Sequence, residues 1–259
     1  MGIGDQLIAT GLARGAAARG KRIAFGDGRR ICWDAHSEMI FRGNPNIARP
    51  GSEGSGDLEW SPYRKGNRLY NTHDRANNRW VWNEDFHPQP GEVFFTDAEK
   101  TAGARFGSGF ALIEPNVERH KLGAANKEWG FAKYRALALS ILAEGHRVAQ
   151  FAYPGAQFLP GVEKLPTATF HEALAVLANA ALYIGPEGGM HHGAAAVGVP
   201  GVVLFGGWVP PGATGYASHV NLTGGAKACG LLSPCQHCRE AMDRIPVATV
   251  FDEAMRRLA

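Results

Sequence analysis

From about residue 108 onward this chain alternates short apolar runs with helical segments, and that alternation limits its fold more than any other feature. Phe110-Ala111-Leu112-Ile113, ended by Glu114-Pro115-Asn116, reads as a buried strand. Phe131 to Glu144 carries apolar residues at helical spacing and is closed by Gly145. Arg147 to Ala152 reads as the next strand. Thr169-Phe170-His171-Glu172 has the Thr-x-x-Glu spacing of a capping box and opens a helix through Leu177. Ala181 to Ile184 is again strand-like, His191 to Val197 helical, and Val202 to Phe205 strand-like. Strand–helix units of this length require a parallel sheet with right-handed crossovers, so the class is α/β.

Residues 1–106 read differently. Gly43-Asn44-Pro45-Asn46 and the run from Pro50 to Gly56 are turn signals, yet Gln6 to Arg19 is an alanine-rich helix and Arg22 to Phe25 a strand. The expectation is a smaller lobe over 1–106 and a larger one over 107–259. Hydrophobic residues make up 45% and charged ones 20%, which excludes a disordered tail, a fibre or a coiled coil. No apolar run approaches the ~20 residues of a membrane helix, and the start does not resemble a signal peptide, so a soluble cytoplasmic protein is expected. The formal charge of +3 is compatible with an anionic partner without requiring one.

Several nucleotide signatures are missing: there is no G-x-x-x-x-G-K-[ST], and no G-x-G-x-x-G between a strand and a helix. The most informative stretch is instead Tyr183-Ile184-Gly185-Pro186-Glu187-Gly188-Gly189-Met190-His191-His192-Gly193, running off a strand into a small-residue helix. Gly188 and Gly189 let backbone approach a ligand, and the helix start offers free N–H groups and a positive dipole end, which suits a diphosphate. Glu187 is placed to accept from sugar or ribose hydroxyls. His192 could donate to a phosphate or orient Glu187. The alternative is a plain strand-to-helix turn that needs glycine for positive φ, with two surface histidines.

Continued through Val199-Pro200-Gly201 to Phe205-Gly206-Gly207, this stretch resembles the donor-binding motif of the heptosyltransferase-like family 9 glycosyltransferases. Asn126-Lys127-Glu128-Trp129-Gly130 resembles that family's Lys-x-Trp element. Met1 to Leu7 with Thr10 resembles its N-terminal Gly-Asp turn, and Cys235 to Cys238 with Met242, Ile245 and Val250 its closing segment. Residues 27–100 match nothing in the pattern. Glu187 stands where Asp is more usual, His191 is a second histidine, and Gly4-Asp5 has no strand ahead of it.

The resemblance implies a GT-B architecture, with two Rossmann-like lobes bearing parallel sheets, the N-terminal one reduced, and a last helix free to pack back onto that lobe. It implies an inverting glycosyltransferase of hexosyl or heptosyl type. The co-substrate would be a nucleotide-diphosphate sugar, with no required cofactor or metal. The acceptor would be a saccharide or glycolipid, with a hydroxylated DNA base as a further option and a non-catalytic nucleotide-sugar-binding protein as the alternative. Asp5 is then the candidate base, although it would also serve as N-cap of a helix beginning at Gln6. Lys127, Glu187, Gly188, Gly189, His191 and His192 would hold the donor, and Thr169 and Phe170 would reach the base.

Two further clusters stand out. Cys229, Cys235 and Cys238, with His237 or His219, could form a tetrahedral zinc site, but reduced structural thiols are the favoured reading because a single C-x-x-C is a weak signal. Trp60, Tyr63, Tyr70, Trp80 and Trp82 interleave with Arg64, Lys65, Arg68, Arg75 and Arg79. Such a set either stacks on sugars or unpaired bases or forms a small irregular core with a basic rim.

Overall fold

In the computed structural model, which describes residues 1–117 and 123–259, the N-terminal alanine-rich stretch forms α1 (Ile3–Ala17), followed by β1 (Arg22–Phe25) and α2 (Ala35–Ile40). β2 (Leu58–Ser61) pairs in parallel with β1, while β3 (Asn71–Asp74) and β4 (Arg79–Trp82) form an antiparallel hairpin. α3 (Asp97–Gly103) closes this part. The first lobe is thus more reduced than a Rossmann-like unit, since its parallel sheet has two strands. α1 starts earlier than Gln6, so Asp5 is not its N-cap. It sits in the first turn, and its carboxylate accepts the Gly2 N–H at 2.9 Å, satisfying one of the donors that every helix start leaves over.

The second part contains β5 (Ala111–Ile113), α4 (Phe131–Ala143), β6 (Val148–Ala152), β7 (Glu163–Pro166), α5 (Phe170–Leu177), β8 (Leu182–Pro186) and α6 (Gly189–Ala196). β9 (Gly201–Leu204), α7 (Pro211–Thr214), β10 (His219–Leu222), α8 (Gln236–Asp243) and α9 (Val247–Leu258) complete it. Its strands form one six-stranded sheet of order β10-β9-β8-β5-β6-β7, parallel throughout. The chain enters this sheet in the middle, runs outward to β7, then returns to the other side of β5. Between β5 and β8 the winding direction therefore reverses, and in open α/β sheets the crevice at such a reversal is where ligands bind.

The inner strands are largely apolar on both faces because helices cover both faces. Side chains alternate between two cores with the period of two that a strand imposes. Ala111, Ile113, Leu182, Ile184, Val202 and Leu204 face α4 and α9, whereas Leu112, Tyr183 and Val203 face α5 and α6. α9 could have reached back to residues 1–106; it instead packs on α4, β8 and β9, with Val250 and Ala254 buried there. α1 lies on the opposite face, against α6, and its Leu7 and Ile8 belong to the same core as Leu174, Leu177 and Ala194. That core continues across residue 106. No helix among the described residues is long and apolar enough to cross a membrane.

Candidate functional site

A cavity of about 730 Å³ opens at the carboxyl ends of β5 and β8, where the winding reverses. It is lined from both parts of the chain. Asp5, Lys127, Thr169, Phe170, Glu187, Gly188, Gly189 and His192 all contribute, so residues spread over nearly the whole sequence converge on one space. His191 is the exception.

Glu187 directly follows β8 and is buried. Lys127, at the end of a 3-10 turn (Ala124–Lys127), forms an ion pair with its Oε2, and His192 Nε2 lies 3.6 Å from its Oε1. Burial alone would push the Glu187 carboxyl up. The Lys127 charge and the His192 hydrogen bond outweigh that and hold it well below the usual carboxylate range. Lys127 also lies over the Trp208 ring, 4.5 Å from its centroid, so its ammonium is held between a carboxylate and a π face. The Tyr216 hydroxyl lies 2.8 Å from His192 Nδ1; because the ionised Glu187 carboxylate can only accept, the tautomer with its proton on Nε2 suits both neighbours, Nδ1 then accepting from the hydroxyl.

α6 begins directly at the cavity. Neither Gly188 nor Gly189 adopts positive left-handed φ; Gly188 has φ 163° and ψ −165°, which is extended backbone. The close approach is at Gly4 of α1 instead. A Cβ on Gly188 would meet nothing within 4 Å, whereas Gly189 packs against Gly4 of α1. A Cβ on Gly4 would lie 3.0 Å from His192 Cδ2 and 3.5 Å from Gly189 Cα. The start of α1 is thereby pressed onto the start of α6, which carries Asp5 to the donor-side residues.

His191 points away from the cavity. It is fully buried, Nδ1 lies 3.2 Å from the Gly188 carbonyl oxygen, and its ring packs among Phe205, Tyr216 and His219. Burial first, then the neighbouring His192, hold it well below the ordinary histidine range, so it is a neutral packing residue rather than a ligand contact.

Asp5 is 6% exposed, and both carboxylate oxygens are engaged. The Tyr70 hydroxyl donates to Oδ1 at 2.5 Å, and Arg68 Nε lies 3.0 Å from the same oxygen. Arg68, Tyr70, Trp80 and Trp82 line the cavity wall opposite β8, and the Arg68 guanidinium lies 5.1 Å from the Trp80 ring centroid. The aromatic–arginine cluster therefore divides. Trp60 and Tyr63 pack into cores and Tyr63 is fully buried, while Trp80 and Trp82 of the hairpin face the cavity and its Arg75 and Arg79 do not line it. Thr169 caps α5, its hydroxyl oxygen accepting the Glu172 N–H at 3.1 Å, and still borders the cavity beside Phe170.

Glu114 is a site residue that reading the sequence as a strand terminator missed. It follows β5 as Glu187 follows β8 and is 7% exposed. Burial pushes its carboxyl up to about 7, partly opposed by the N–H and side-chain amide of Asn116 and the hydroxyl of Tyr153. The signal that could have found it is its place at the carboxyl end of an apolar strand.

The three C-terminal cysteines also converge. Cys229 Sγ lies 3.7 Å from Cys235 Sγ and 3.2 Å from Cys238 Sγ. His237 and His219 do not join them: His237 Nε2 lies 2.8 Å from the Lys227 carbonyl, and His219 Nε2 lies 3.3 Å from that of Val199.

Residues 92–248 match glycosyltransferase family 9 (heptosyltransferase). No curated protein matches the chain. Among solved structures, a family 9 glycosyl transferase from Veillonella parvula aligns with all of this chain and 95% of its own, at 11% identity and TM-score 0.66. The iron-containing dodecameric glycosyltransferase TibC from enterotoxigenic E. coli aligns over 86% of this chain and 66% of its own, at 14% identity and TM-score 0.51. E. coli ADP-heptose lps heptosyltransferase II aligns over 69% of this chain at 20% identity and TM-score 0.47. The chain spans about half of that heptosyltransferase, 54% of its length. At these identities the likeness is one of fold.

Proposed function

The chain belongs to glycosyltransferase family 9, and on that premise we propose that it moves a sugar, with inversion, from a nucleotide-diphosphate sugar to a hydroxyl acceptor. The observation that carries this reading is the single cavity that brings the Asp5 carboxylate together with Lys127, Glu187 and the start of α6. Donor phosphates would lie against Lys127 and the free N–H groups of α6, and Glu187 would accept from sugar or ribose hydroxyls. Thr169 and Phe170, which border the cavity, would reach the base.

In the reaction, Asp5 takes the proton of the acceptor hydroxyl as its oxygen bonds to the anomeric carbon. The carbon–oxygen bond to the diphosphate breaks, and the leaving group departs with the electron pair. Lys127 meets the charge that develops on it. A single displacement of this kind inverts the anomeric centre. Arg68 and Tyr70 position Asp5, and the Trp80 and Trp82 rings offer stacking surfaces on the acceptor side. The family resemblance favours a saccharide or glycolipid acceptor, and the same rings would also stack on a hydroxylated DNA base. No cofactor is needed for this chemistry.

The test is a thermal-shift panel of nucleotide-diphosphate sugars on wild type and Glu187→Ala, followed by a transfer assay with the donor that binds. A donor at 100 times its dissociation constant adds ~2.7 kcal/mol of stability. That shift should appear with at least one donor and vanish in the variant. A protein that shifts with none is not using this cavity for donors. One that binds a donor and neither hydrolyses nor transfers it is a nucleotide-sugar-binding protein.

A further inference from the structure

We infer that Cys229, Cys235 and Cys238 hold a thiophilic divalent metal ion, zinc or iron, which ties α8 and the loop before it to the wall of the cavity. Three sulfurs from two separate segments meet here. Cys235 is the N-cap of α8, and Cys238 lies in that helix's first turn. Cys229 arrives from the preceding loop, its N–H donating to the Gly207 carbonyl at 2.9 Å. Thiolates bound tetrahedrally at ~2.3 Å stand about 3.8 Å apart. The separations of 3.7 Å and 3.2 Å are close to that edge, and the shorter needs to open by about half an ångström. Backbone donors already point at the sulfurs: the Cys238 N–H at Cys235 Sγ, 3.4 Å away, and the Leu231 N–H at Cys229 Sγ. Such donors stabilise thiolate over thiol and hold it for a metal.

A disulfide does not explain the arrangement, because any one of the three pairings leaves the remaining sulfur packed against the bond without a partner. Three thiolates supply one face of a tetrahedron, and Cys229 and Cys235 are half-buried, so water can complete the shell from the open side.

The loop these sulfurs would fix is a junction. Gly230 accepts the Trp80 N–H at 2.9 Å, and the Leu232 N–H donates to the Asn78 carbonyl at 3.0 Å, both on the β3–β4 hairpin. The Trp208 indole N–H donates to Leu231 at 2.6 Å. The Asn126 amide, one residue before Lys127, donates to Leu231 and Ser233 and accepts from the Cys235 N–H. A metal here would brace the hairpin wall, Trp208 and the turn bearing Lys127 together. Its place is structural and independent of the transfer reaction.

The test is metal analysis of the full chain purified under reducing conditions without chelator, with zinc and iron both measured. About one ion per chain is expected, with Cys32→Ser unchanged and Cys229→Ser, a half-buried position that tolerates the change, depleted. Adding cobalt(II) to the metal-free wild type should give an intense thiolate-to-cobalt charge-transfer band. Chelation should lower the melting midpoint and speed amide exchange at Trp80. A chain isolated without metal that gives no such band with cobalt overturns the site. So does bound metal that survives in Cys229→Ser and in Cys238→Ser. If Cys238→Ser does not fold, the wild-type cobalt titration decides.

Discussion

Replacing Glu114 by Gln removes a charge from the floor of the cavity while keeping the side chain's shape. The Gln carbonyl oxygen can still accept the Asn116 N–H and side-chain amide, which reach the carboxylate at 2.9 Å each. In the folded chain burial raises this carboxyl from an ordinary 4.5 to about 7. That difference of roughly 2.5 pH units, at ~1.36 kcal/mol each, corresponds to about 3 kcal/mol. The sign follows from which state holds the proton more tightly. Below pH 4.5 both states are protonated and Glu114 costs nothing; as pH rises toward 7 the unfolded chain ionises first and the native state loses stability. Above pH 7 the full penalty is present. Glu114→Gln should therefore melt with wild type near pH 4.5 and about 6–12 °C above it at pH 8, taking ~2–4 °C per kcal/mol for a chain of this size. Paired melting curves across that range measure the gap. A gap that does not widen with pH, or a variant less stable at pH 8, would refute a buried, strained carboxylate.

Asp5→Asn should keep donor binding and lower transfer ~10²–10⁴-fold, as expected for removal of a general base. Turnover near the wild-type rate would take Asp5 out of the mechanism. Gly4→Ala should cost ~1–3 kcal/mol in denaturant unfolding, because the new methyl meets His192 Cδ2 at 3.0 Å. It should also weaken donor binding through that histidine. Wild-type stability and affinity in this variant would mean that α1 and α6 have room to spare.

Much of the sheet was legible because a strand covered on both faces must be largely apolar: Ala111–Ile113 and Gly201–Leu204 are so throughout, and Val148–Ala152 is so but for the buried Gln150. β7 and β10 were not, since Glu163, Lys164 and Asn221 make short edge strands polar enough to pass for loop. At the site, the Glu187 to His192 segment announced itself by its glycines and histidines. Which of two adjacent histidines faces the cavity depends on the helix's rotation about its axis, and that is set by packing of α6 against α1, β8 and β9. Arg68 and Tyr70 reach Asp5 across more than sixty residues of irregular chain, so no local pattern could join them. The role of Glu114 depends on strand order, which places β5 beside β8 although two strands intervene in sequence.

The core that runs from α1 into α5 and α6 bears on how anything enters or leaves the cavity. Swinging the first lobe away as a rigid body would strip Leu7 and Ile8 from Leu174, Leu177 and Ala194. Each such side chain brought into water costs ~1.5–3 kcal/mol, so a wide hinge motion would come close to unfolding the molecule. The β3–β4 hairpin is a lighter door. It is a two-stranded element, and Val81 on its outer face is 44% exposed. Traffic through the cavity would then be set by how firmly the Gly230 and Leu232 hydrogen bonds latch that hairpin, and a β-branched substitution at Asn78, which turns the hairpin with φ 48°, should alter exchange rates without touching the chemistry.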